Sequence, residues 1–531
     1  MRLNKFLAFF IIFIALSTEN AQGNCSYEQL AAKVTPEIYN SEIWKNLLHY
    51  DENNSVINSD SNFFLATTGY KNPKDEFLAT LKAMVNVKID EDNHAICRYP
   101  ARFNYILKSL GLSKKDFPSV KCPSYEEYLT KVPFNNVSVI FAAENNISPS
   151  SMMGHTFLKI SGENSTGHKE HAFSYFAALD KADTLKFYID VITTGIDGAY
   201  ILSPYSEKET DYLYGEKRSL WEFNLDMTPV EKENLKQHLW ELKGSNISYS
   251  IISHNCNTAV ISILKVANPN FNASTVKPFI TPVEYIQELH QKQKVISIDI
   301  DPTDYNREKI KQFGIKNLLD ANKNSRVDIS YHNTKNDYAQ LKLSPVYQDI
   351  KDINHGYFDE MESKIGEVTL DYSKNNKLFV QNINVLKMRS ILDYSIEKDY
   401  SKHFKLSLEN DLEQYNTALK PTLEFGLGYG TYKQNAAFYF IPRLGWRYSH
   451  YNNFYIVPEV GIIAKVNDET KIIVSYEYYL NTRGNNRGYN GKYNLYIGRE
   501  LIRNIDLYTD YSYYINSNYK HDFTIGLSYR F

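Results

Sequence analysis

This chain of 531 residues has few cysteines, little net charge and few long apolar runs. It has four cysteines and a formal net charge of only −3, which argues against nucleic acid as its main partner. The apolar run at residues 6–17 is too short to cross a bilayer as a helix. A chain of this length exceeds one ordinary hydrophobic core, so we expect two or three domains.

The N-terminus has the pattern of an export signal. Arg2 and Lys5 form a positive end before the apolar run, and small residues suited to cleavage follow it. We therefore assign residues 1–23 to a signal peptide. The alternative is a lipoprotein signal cleaved at Cys25, for which the preceding residue is a poor match. Export makes disulfides permissible.

The four cysteines divide into a pair and two single residues. Cys97 and Cys122 lie in one segment, and we expect them to form a disulfide that closes its loop. Cys25 lies near the N-terminal end, which leaves Cys256 as a free thiol. A bond between Cys25 and Cys256 is the structural alternative.

Aromatic residues, in contrast, are abundant, with 43 Tyr and 28 Phe in a chain of polar mean hydropathy. Amphipathic, tyrosine-rich strands would produce this combination. From about residue 325 onward, segments alternate apolar and polar residues with a period of two, separated by short connections rich in Asn, Lys, Asp and Gly. We count about twelve such segments, from residues 327–333 to a final strand that ends at Phe531.

Strands of about ten residues in an even number are typical of single-chain outer-membrane barrels. An exported chain that ends on an aromatic residue after this alternation resembles bacterial outer-membrane β-barrels, whose terminal strand is read by the assembly machinery. We predict an antiparallel outer-membrane barrel over residues 325–531, with both ends on the periplasmic side. The alternative is a soluble all-β domain, which also removes its strand edges by closure.

Residues 24–300 have a different pattern, in which helical stretches alternate with short strands. One helix is well marked, since Thr228 caps it, Pro229 starts it and Glu231 completes a capping box. We predict a soluble α+β domain here, which lies in the periplasm. Residues 301–324 are interpreted as a polar linker to the barrel.

The stretch SHNCNTAV at residues 253–260 contains the first candidate catalytic residue. Cys256 lies between a strand-like run and a helix-like run. At a helix N-terminus the free N–H groups and the helix dipole lower the pKa of a thiol and can stabilise an oxyanion. We predict that Cys256 is a nucleophile. The alternative is a small buried cysteine that packs at a helix start.

A nucleophilic cysteine needs a base, and His155 is the best placed histidine. It begins an amphipathic strand after Gly154, whose missing side chain gives a substrate or a second chain close access. The alternative is a surface histidine at a strand end. His254 is nearer in sequence but would point elsewhere. The candidates for a third residue that orients the imidazole are His171, Ser174 and Tyr175. The candidate substrate-binding residues are Gly154, Asn255, Ser174 and Tyr175.

A strand histidine followed about a hundred residues later by Asn-Cys at a helix start resembles the circularly permuted NlpC-type papain-like enzymes, which include lecithin:retinol acyltransferase. The likeness is broadest to the N-terminal periplasmic domain of the Lnb-type outer-membrane lipoprotein N-acyltransferases. It rests on CRYPARF (97–103), SSMMGHTFLKI (150–160), EKRSLWEFNLDMTPVE (216–231) and the Cys256 motif. The resemblance implies a permuted papain-like fold with Cys256 as nucleophile and His155 as base. In the lecithin:retinol type the third residue is a second histidine, but His171 is spaced further away than that type has it.

This resemblance implies lipoprotein N-acylation, in which a phospholipid gives an acyl chain to Cys256 and the free α-amine of a diacylated lipoprotein accepts it. Phospholipid, lipoprotein and the outer membrane of a Gram-negative bacterium are the expected partners. Alternatives with the same pair are a peptidoglycan amidase or endopeptidase and a phospholipase. A porin-like barrel with a binding module is the non-enzyme alternative. We expect no cofactor and no metal, because the His and Cys spacing fits no zinc template.

Overall fold

The computed structural model describes residues 26–59, 62–87, 91–143, 154–177, 190, 195–250, 253–274, 279–373, 378–410, 419–449, 451–481, 489–517 and 520–531. The predicted signal peptide at residues 1–23 and Cys25 lie outside these ranges. Within them the chain forms an α+β domain followed by a closed β-barrel, in the order that the sequence predicts.

Helices occur mainly in the first part of the chain. The α-helices are Tyr27–Ala31, Pro36–Tyr39, Glu42–Leu47, Pro73–Met84, Ala95–Arg98, Pro100–Leu110, Pro123–Lys131, Tyr205–Thr210, Pro229–Glu241, Cys256–Ala267, Pro282–Gln291, Asp304–Phe313 and Tyr394–Glu397. Short 3₁₀ turns cover Glu91–Asn93, Lys114–Asp116, Pro269–Phe271 and Leu318–Asp320, and a π-turn covers Asp211–Gly215. Of the helices in the described ranges, none has the length and apolarity that crossing a bilayer requires.

The predicted capping box at Thr228 is confirmed. The Thr228 hydroxyl accepts the Glu231 N–H at 3.3 Å, and the Glu231 carboxylate accepts the Thr228 N–H at 2.7 Å. Two of the N–H groups that have no partner inside the helix are thereby satisfied.

A seven-stranded antiparallel sheet forms the centre of the α+β domain, in the order β8-β6-β5-β4-β3-β7-β9. Its strands are β3 (Asn136–Ala142), β4 (His155–Asn164), β5 (Gly167–Ala177), β6 (Ile196–Pro204), β7 (Leu220–Leu225), β8 (Asn246–Tyr249) and β9 (Val295–Asp301). A separate short hairpin joins β1 (Tyr50–Asp51) to β2 (Asn54–Ser55).

Both faces of this sheet are covered, and period-two alternation decides which side chain faces which layer. On one face, Leu158 packs in the main core with residues of helix Cys256–Ala267, such as Val260. On the other face, Phe157 packs with Tyr205 and Tyr212 from the helical segment that follows β6. Neighbouring residues of β4 therefore contact different layers.

A disulfide and a buried ion-pair network hold the N-terminal helices to this core. A disulfide joins Cys97 to Cys122, with 5.3 Å between their Cα atoms. The buried Arg102 guanidinium pairs with the Glu76 carboxylate at 2.8 Å. The backbone N–H of Arg102 donates to the Glu241 carboxylate at 2.8 Å. Because a buried charge is costly without partners, this network fixes three helices relative to one another.

The barrel has twelve antiparallel strands within the described ranges, and all twelve predicted segments are confirmed as strands. They are β10 (Arg326–Asn333), β11 (Tyr338–Ser344, continued by β12, Val346–Gln348), β13 (Glu360–Ser373), β14 (Leu378–Ile391), β15 (Ser401–Glu409), β16 (Lys420–Lys433), β17 (Ala436–Ser449), β18 (Tyr451–Asn467), β19 (Thr470–Tyr478, continued by β20, Leu480–Asn481), β21 (Gly491–Ile502), β22 (Ile505–Ile515) and β23 (His521–Arg530). Pairing of β10 with β23 and of β11 with β13 closes the barrel.

The predicted polar linker, residues 301–324, contains a docked helix. Helix Asp304–Phe313 packs on the rim of the barrel, where Lys309 Nζ lies 3.3 Å from the Asp393 carboxylate. The Tyr305 hydroxyl donates to Asp359 at 2.6 Å and accepts the Asp393 N–H at 3.1 Å. These buried contacts hold the α+β domain at the end of the barrel where the chain enters it.

The segment between β12 and β13, residues 349–359, fills the barrel lumen at this same end. Its Lys351 pairs with Asp510 at 2.7 Å, and its Asp352 pairs with Arg530 at 2.8 Å. Ile350 is buried among inward-facing barrel residues. We call residues 349–359 the plug. Ion pairs such as Arg389–Glu459, at 2.7 Å, occupy the lumen beyond it.

We expect the intact protein to conduct no ions, because the plug is bonded to the inner wall from several strands. Planar-bilayer recording of the purified chain should show no channel openings. A variant in which a short Gly-Ser linker replaces residues 350–358 should show them. Steady conductance by the parent chain would contradict this assignment of the plug.

Candidate active site

The candidate nucleophile, Cys256, is the first residue of helix Cys256–Ala267 and is a buried free thiol. Asn255 caps this helix, since its side-chain oxygen accepts the N–H groups of Asn257 at 3.0 Å and Thr258 at 3.1 Å. Asn255, proposed from sequence as a substrate contact, therefore has a structural role. Its cap leaves the Cys256 N–H as a first-turn donor with no partner inside the helix.

The Cys256 sulfur lies against the start of β4. The ladder between β4 and β5 begins at Leu158 and Phe173, so the two strands are not paired beside Thr156. Burial raises the pKa of the Cys256 thiol, and the backbone N–H groups of Thr156 and Asn257 offset part of that rise. The sequence had predicted a lowered pKa at this helix start. Burial outweighs the helix terminus because it removes the water that would solvate a thiolate.

The candidate base, His155, is the first residue of β4. Its ring stacks on Phe176 with 4.8 Å between centroids and lies 6.0 Å from the ring of Tyr212. Burial, with smaller contributions from the positive charges of Arg218 and Lys208, lowers the pKa of His155 to about 3. The imidazole is therefore neutral at physiological pH. Among the described residues its buried Nε2 has no hydrogen-bond partner.

His155 and Cys256 meet at the same end of the sheet but from different sides. His155 faces the layer of Tyr212, whereas Thr156 faces the helix that carries Cys256, and no hydrogen bond joins the two candidate residues. Arg218 is close enough to both residues for its positive charge to lower the pKa of His155 and of Cys256. The charge of Cys256 in turn contributes to the raised pKa of Tyr212.

Arg218 itself is fixed by the end of the neighbouring strand. Its guanidinium donates to the carbonyls of Ala142 and Ala143, both at 2.7 Å, and to the Glu216 carboxylate at 2.8 Å. No role for Arg218 or Thr156 was predicted from sequence. Arg218 lies within the motif EKRSLW and Thr156 within GHTFLKI, which was the available signal, but the contacts of both residues depend on strand pairing.

The structure does not bring His171 to the candidate pair. His171 pairs with Ile160, five residues along β4 from His155, which is roughly 16 Å at 3.3 Å per residue. Its predicted role as an orienting residue remains a prediction without a contact to support it. Of the other two candidates for that role, Ser174 is buried on β5, and the Tyr175 hydroxyl donates to the Ile247 carbonyl at 3.1 Å.

Gly154 is explained by chain packing. Its φ of +77° suits glycine, and a Cβ atom built there would lie 2.2 Å from the Phe141 ring. The space beside Gly154 is occupied by the Phe141 ring of β3 in the same chain, and access for a substrate or a second chain stays a prediction.

A cavity of about 160 Å³ lies beside the helix start. Tyr175, Tyr200, His254 and Asn255 line it, together with Asp51 and Lys265. Among the described residues the Tyr200 hydroxyl has no hydrogen-bond partner. The cavity is smaller than typical small-molecule sites, so it has room for a polar group but not for a complete lipid.

The pKa directions predict how the thiol reacts with a small alkylating reagent. Because burial favours the protonated thiol of Cys256 and the neutral imidazole of His155, we expect no thiolate–imidazolium pair at rest. Alkylation of Cys256 by iodoacetamide, followed by mass spectrometry of its peptide, should accelerate with pH up to at least about 8.5. A rate plateau in the acidic range would instead indicate a preformed ion pair.

Comparison with known proteins agrees with the division of the chain. Residues 124–292 match the family model of the Lnb N-terminal periplasmic domain. Residues 36–109 and 319–531 match two domains of unknown function, DUF7843 and DUF7840. No curated protein matches the chain.

Solved structures with some likeness are outer-membrane proteins. A KdgM porin is 12% identical, with a TM-score of 0.25, over 39% of this chain and 99% of that chain. The COG4313 outer membrane channel from Pseudomonas putida F1 is 9% identical, with a TM-score of 0.26, over 39% of this chain and 94% of that chain.

The fold and the family match define the class of protein. It is an outer-membrane β-barrel of a Gram-negative bacterium, with an α+β domain in the periplasm. The apolar outward positions of the barrel, such as Leu427 at 61% exposure, suit contact with lipid rather than water. Cys256 and His155 both lie in the region that matches the Lnb periplasmic domain.

Proposed function

We propose that the α+β domain is a permuted papain-like thiol acyltransferase. It moves an acyl chain from a phospholipid, through a thioester on Cys256, to the α-amine of a lipoprotein's N-terminal diacylglyceryl-cysteine. The observation that carries the proposal is the free thiol of Cys256 at a helix N-terminus, packed against a strand that begins with the neutral His155. The match to the Lnb periplasmic domain supports it.

In the first half-reaction, His155 takes the thiol proton as the Cys256 sulfur attacks the ester carbonyl. The Cys256 N–H, free at the helix start, stabilises the oxyanion. His155 then gives its proton to the departing lysophospholipid oxygen, which leaves an acyl thioester. In the second half-reaction the lipoprotein amine attacks the thioester, His155 accepts the amine proton, and the thiol is restored.

His155 must turn its ring toward the sulfur, or act through one water, to take part in these steps. At rest the ring and the sulfur lie on different sides of β4. His155 is the first residue of β4, and β5 does not pair with β4 until Leu158. The backbone around His155 is therefore less crowded than at an interior position of the strand. Hydrogen bonds of this kind are often completed only when substrate binds.

The membrane setting supports a lipid donor and a lipid-anchored acceptor. Lys309 and Tyr305 fix the domain to the periplasmic rim of the barrel. Both proposed substrates are confined to the adjacent leaflet, which raises their effective concentration at the site. The same Cys–His pair could also serve a peptidoglycan amidase, an endopeptidase or a phospholipase, but those reactions do not need an acceptor lipid. The plug argues against the porin-like alternative.

The test uses a Gram-negative host depleted of its own lipoprotein N-acyltransferase. The full chain is produced there, and the N-terminal peptide of one lipoprotein is analysed by mass spectrometry. A third acyl chain, absent with the empty vector, is the expected result. Diacylated lipoprotein alone, despite a correctly assembled barrel, would refute N-acylation and favour hydrolysis of wall or lipid.

A further inference from the structure

The outer wall of the barrel carries an apolar groove of about 770 Å³ on β16–β19. Its outward-facing wall residues are between 40% and 48% exposed, which shows that they face the bilayer rather than the lumen. These residues are Tyr429, Phe438, Phe440, Val460 and Ile462. We call this surface the wall groove.

The wall groove lies in the periplasmic half of the barrel. Tyr429 is near the end of β16 and Phe438 near the start of β17, and the turn between these strands is on the side where the chain enters the barrel. Helix Tyr394–Glu397, which connects β14 to β15 at this same end, contributes Tyr394 and Ser395 to the groove. The periplasmic leaflet of an outer membrane is therefore the lipid layer that reaches it.

Tyrosines mark the end of the groove at the membrane surface. The Tyr429 ring lies 4.9 Å from Tyr394 and 5.3 Å from Tyr400, both edge-on. Such rings, apolar with one polar hydroxyl, are typical of the headgroup level of a bilayer. The groove thus has an apolar body and a hydroxyl-bearing mouth, as an acyl chain joined to a polar headgroup requires.

The groove is also tied to the periplasmic domain. Asp393 begins the Tyr394–Glu397 helix by accepting the Ser395 N–H at 3.1 Å. The same carboxylate pairs with Lys309 of the docked helix at 3.3 Å. Gly430 permits this arrangement, because a Cβ atom there would lie 2.5 Å from the Leu392 carbonyl oxygen. The segment that borders the groove is therefore the segment that anchors the domain.

We propose that the wall groove binds one acyl chain of a periplasmic-leaflet phospholipid. The described cavity near the start of the Cys256 helix, about 160 Å³, is too small for a complete lipid, and the wall groove would hold the chain while its ester approaches the thiol. That use as a donor site rests on the proposed function. The binding itself does not, because it depends only on the shape and position of the groove.

The test is photocrosslinking of the full chain in phosphatidylethanolamine vesicles that contain a phospholipid with a photoreactive acyl chain. Crosslinks mapped by mass spectrometry should be several-fold more frequent on β16–β19 than on the wall formed by β10, β11 and β23. Val460→Trp fills the groove and should reduce those crosslinks several-fold. Leu343→Trp, at a similarly exposed position on the opposite wall, should leave them unchanged.

Cys256→Ala separates this inference from the proposed function, since it should keep the crosslinks while losing any acyl transfer. Uniform labelling around the barrel, or full labelling of Val460→Trp, would overturn the inference. Crosslinks between two copies at β16–β19 would also overturn it, because they would make the groove a dimer interface.

Discussion

Cells that produce the Cys256→Ala protein are expected to contain no triacylated lipoprotein above the empty-vector level. The thioester cannot form without the sulfur, and the neighbouring groups supply no other nucleophile of comparable strength. The expected loss is complete, because the remaining oxyanion donor has no intermediate to stabilise. Mass spectrometry of the lipoprotein N-terminal peptide in the depleted host measures it.

The Cys256→Ala change leaves the helix cap in place, and a control tests whether the fold is kept. Asn255 caps the helix through Asn257 and Thr258, and alanine at Cys256 leaves those bonds in place. Val266→Ala, a small truncation on the same helix outside the lining of the cavity, should retain activity. Parent-level N-acylation by Cys256→Ala would exclude a thioester mechanism, whereas loss with both variants would indicate a damaged helix.

Replacement of His155 by glutamine is expected to slow acyl transfer by about 10²–10⁴-fold, the usual contribution of a positioned acid–base group. Glutamine is similar in length but cannot take the thiol proton. The imidazole is neutral at physiological pH and its Nε2 has no hydrogen-bond partner among the described residues, so the parent has a group that can take the thiol proton once its ring reaches the sulfur, although burial makes it a weak base at rest. The rate of N-acylation of a purified diacylated lipopeptide in phospholipid vesicles measures the effect.

His171→Gln is the matched control, since it makes the same change on a histidine that lies far along β5. It should change the rate little, and both variants should keep the thermal unfolding temperature of the parent to within a few degrees. An equal loss in both variants would assign His171 a role that the contacts of the resting structure do not explain. An unchanged rate in His155→Gln would remove His155 from the mechanism.

The barrel could be predicted because the alternation that indicates its strands is local in the sequence. A strand of the barrel alternates lipid-facing and lumen-facing residues, so a period of two is present along strands such as β16 and β23. No knowledge of the partner strand is needed to detect it. The capping box at Thr228 was predictable for the same reason, since its two partners lie three residues apart.

The candidate site was predictable only in part. Cys256 and His155 were found from motifs, and the structure brings them to one end of the sheet. The direction of the thiol pKa was predicted wrongly, because burial depends on layers contributed by distant segments. Likewise, Asn255 serves as a cap and Gly154 makes room for Phe141, which are roles that a motif cannot distinguish from substrate contact.

The order of the two domains, the barrel strands and the candidate nucleophile could all be inferred from local patterns along the chain. The folded structure was needed to show that residues 349–359 fill the lumen, that helix Asp304–Phe313 docks on the rim, and that a groove on the outer wall faces the periplasmic leaflet. The reason is the range of the interactions. Alternation and capping act over a few residues, whereas Asp352 meets Arg530, and Lys309 meets Asp393, only after the barrel has closed.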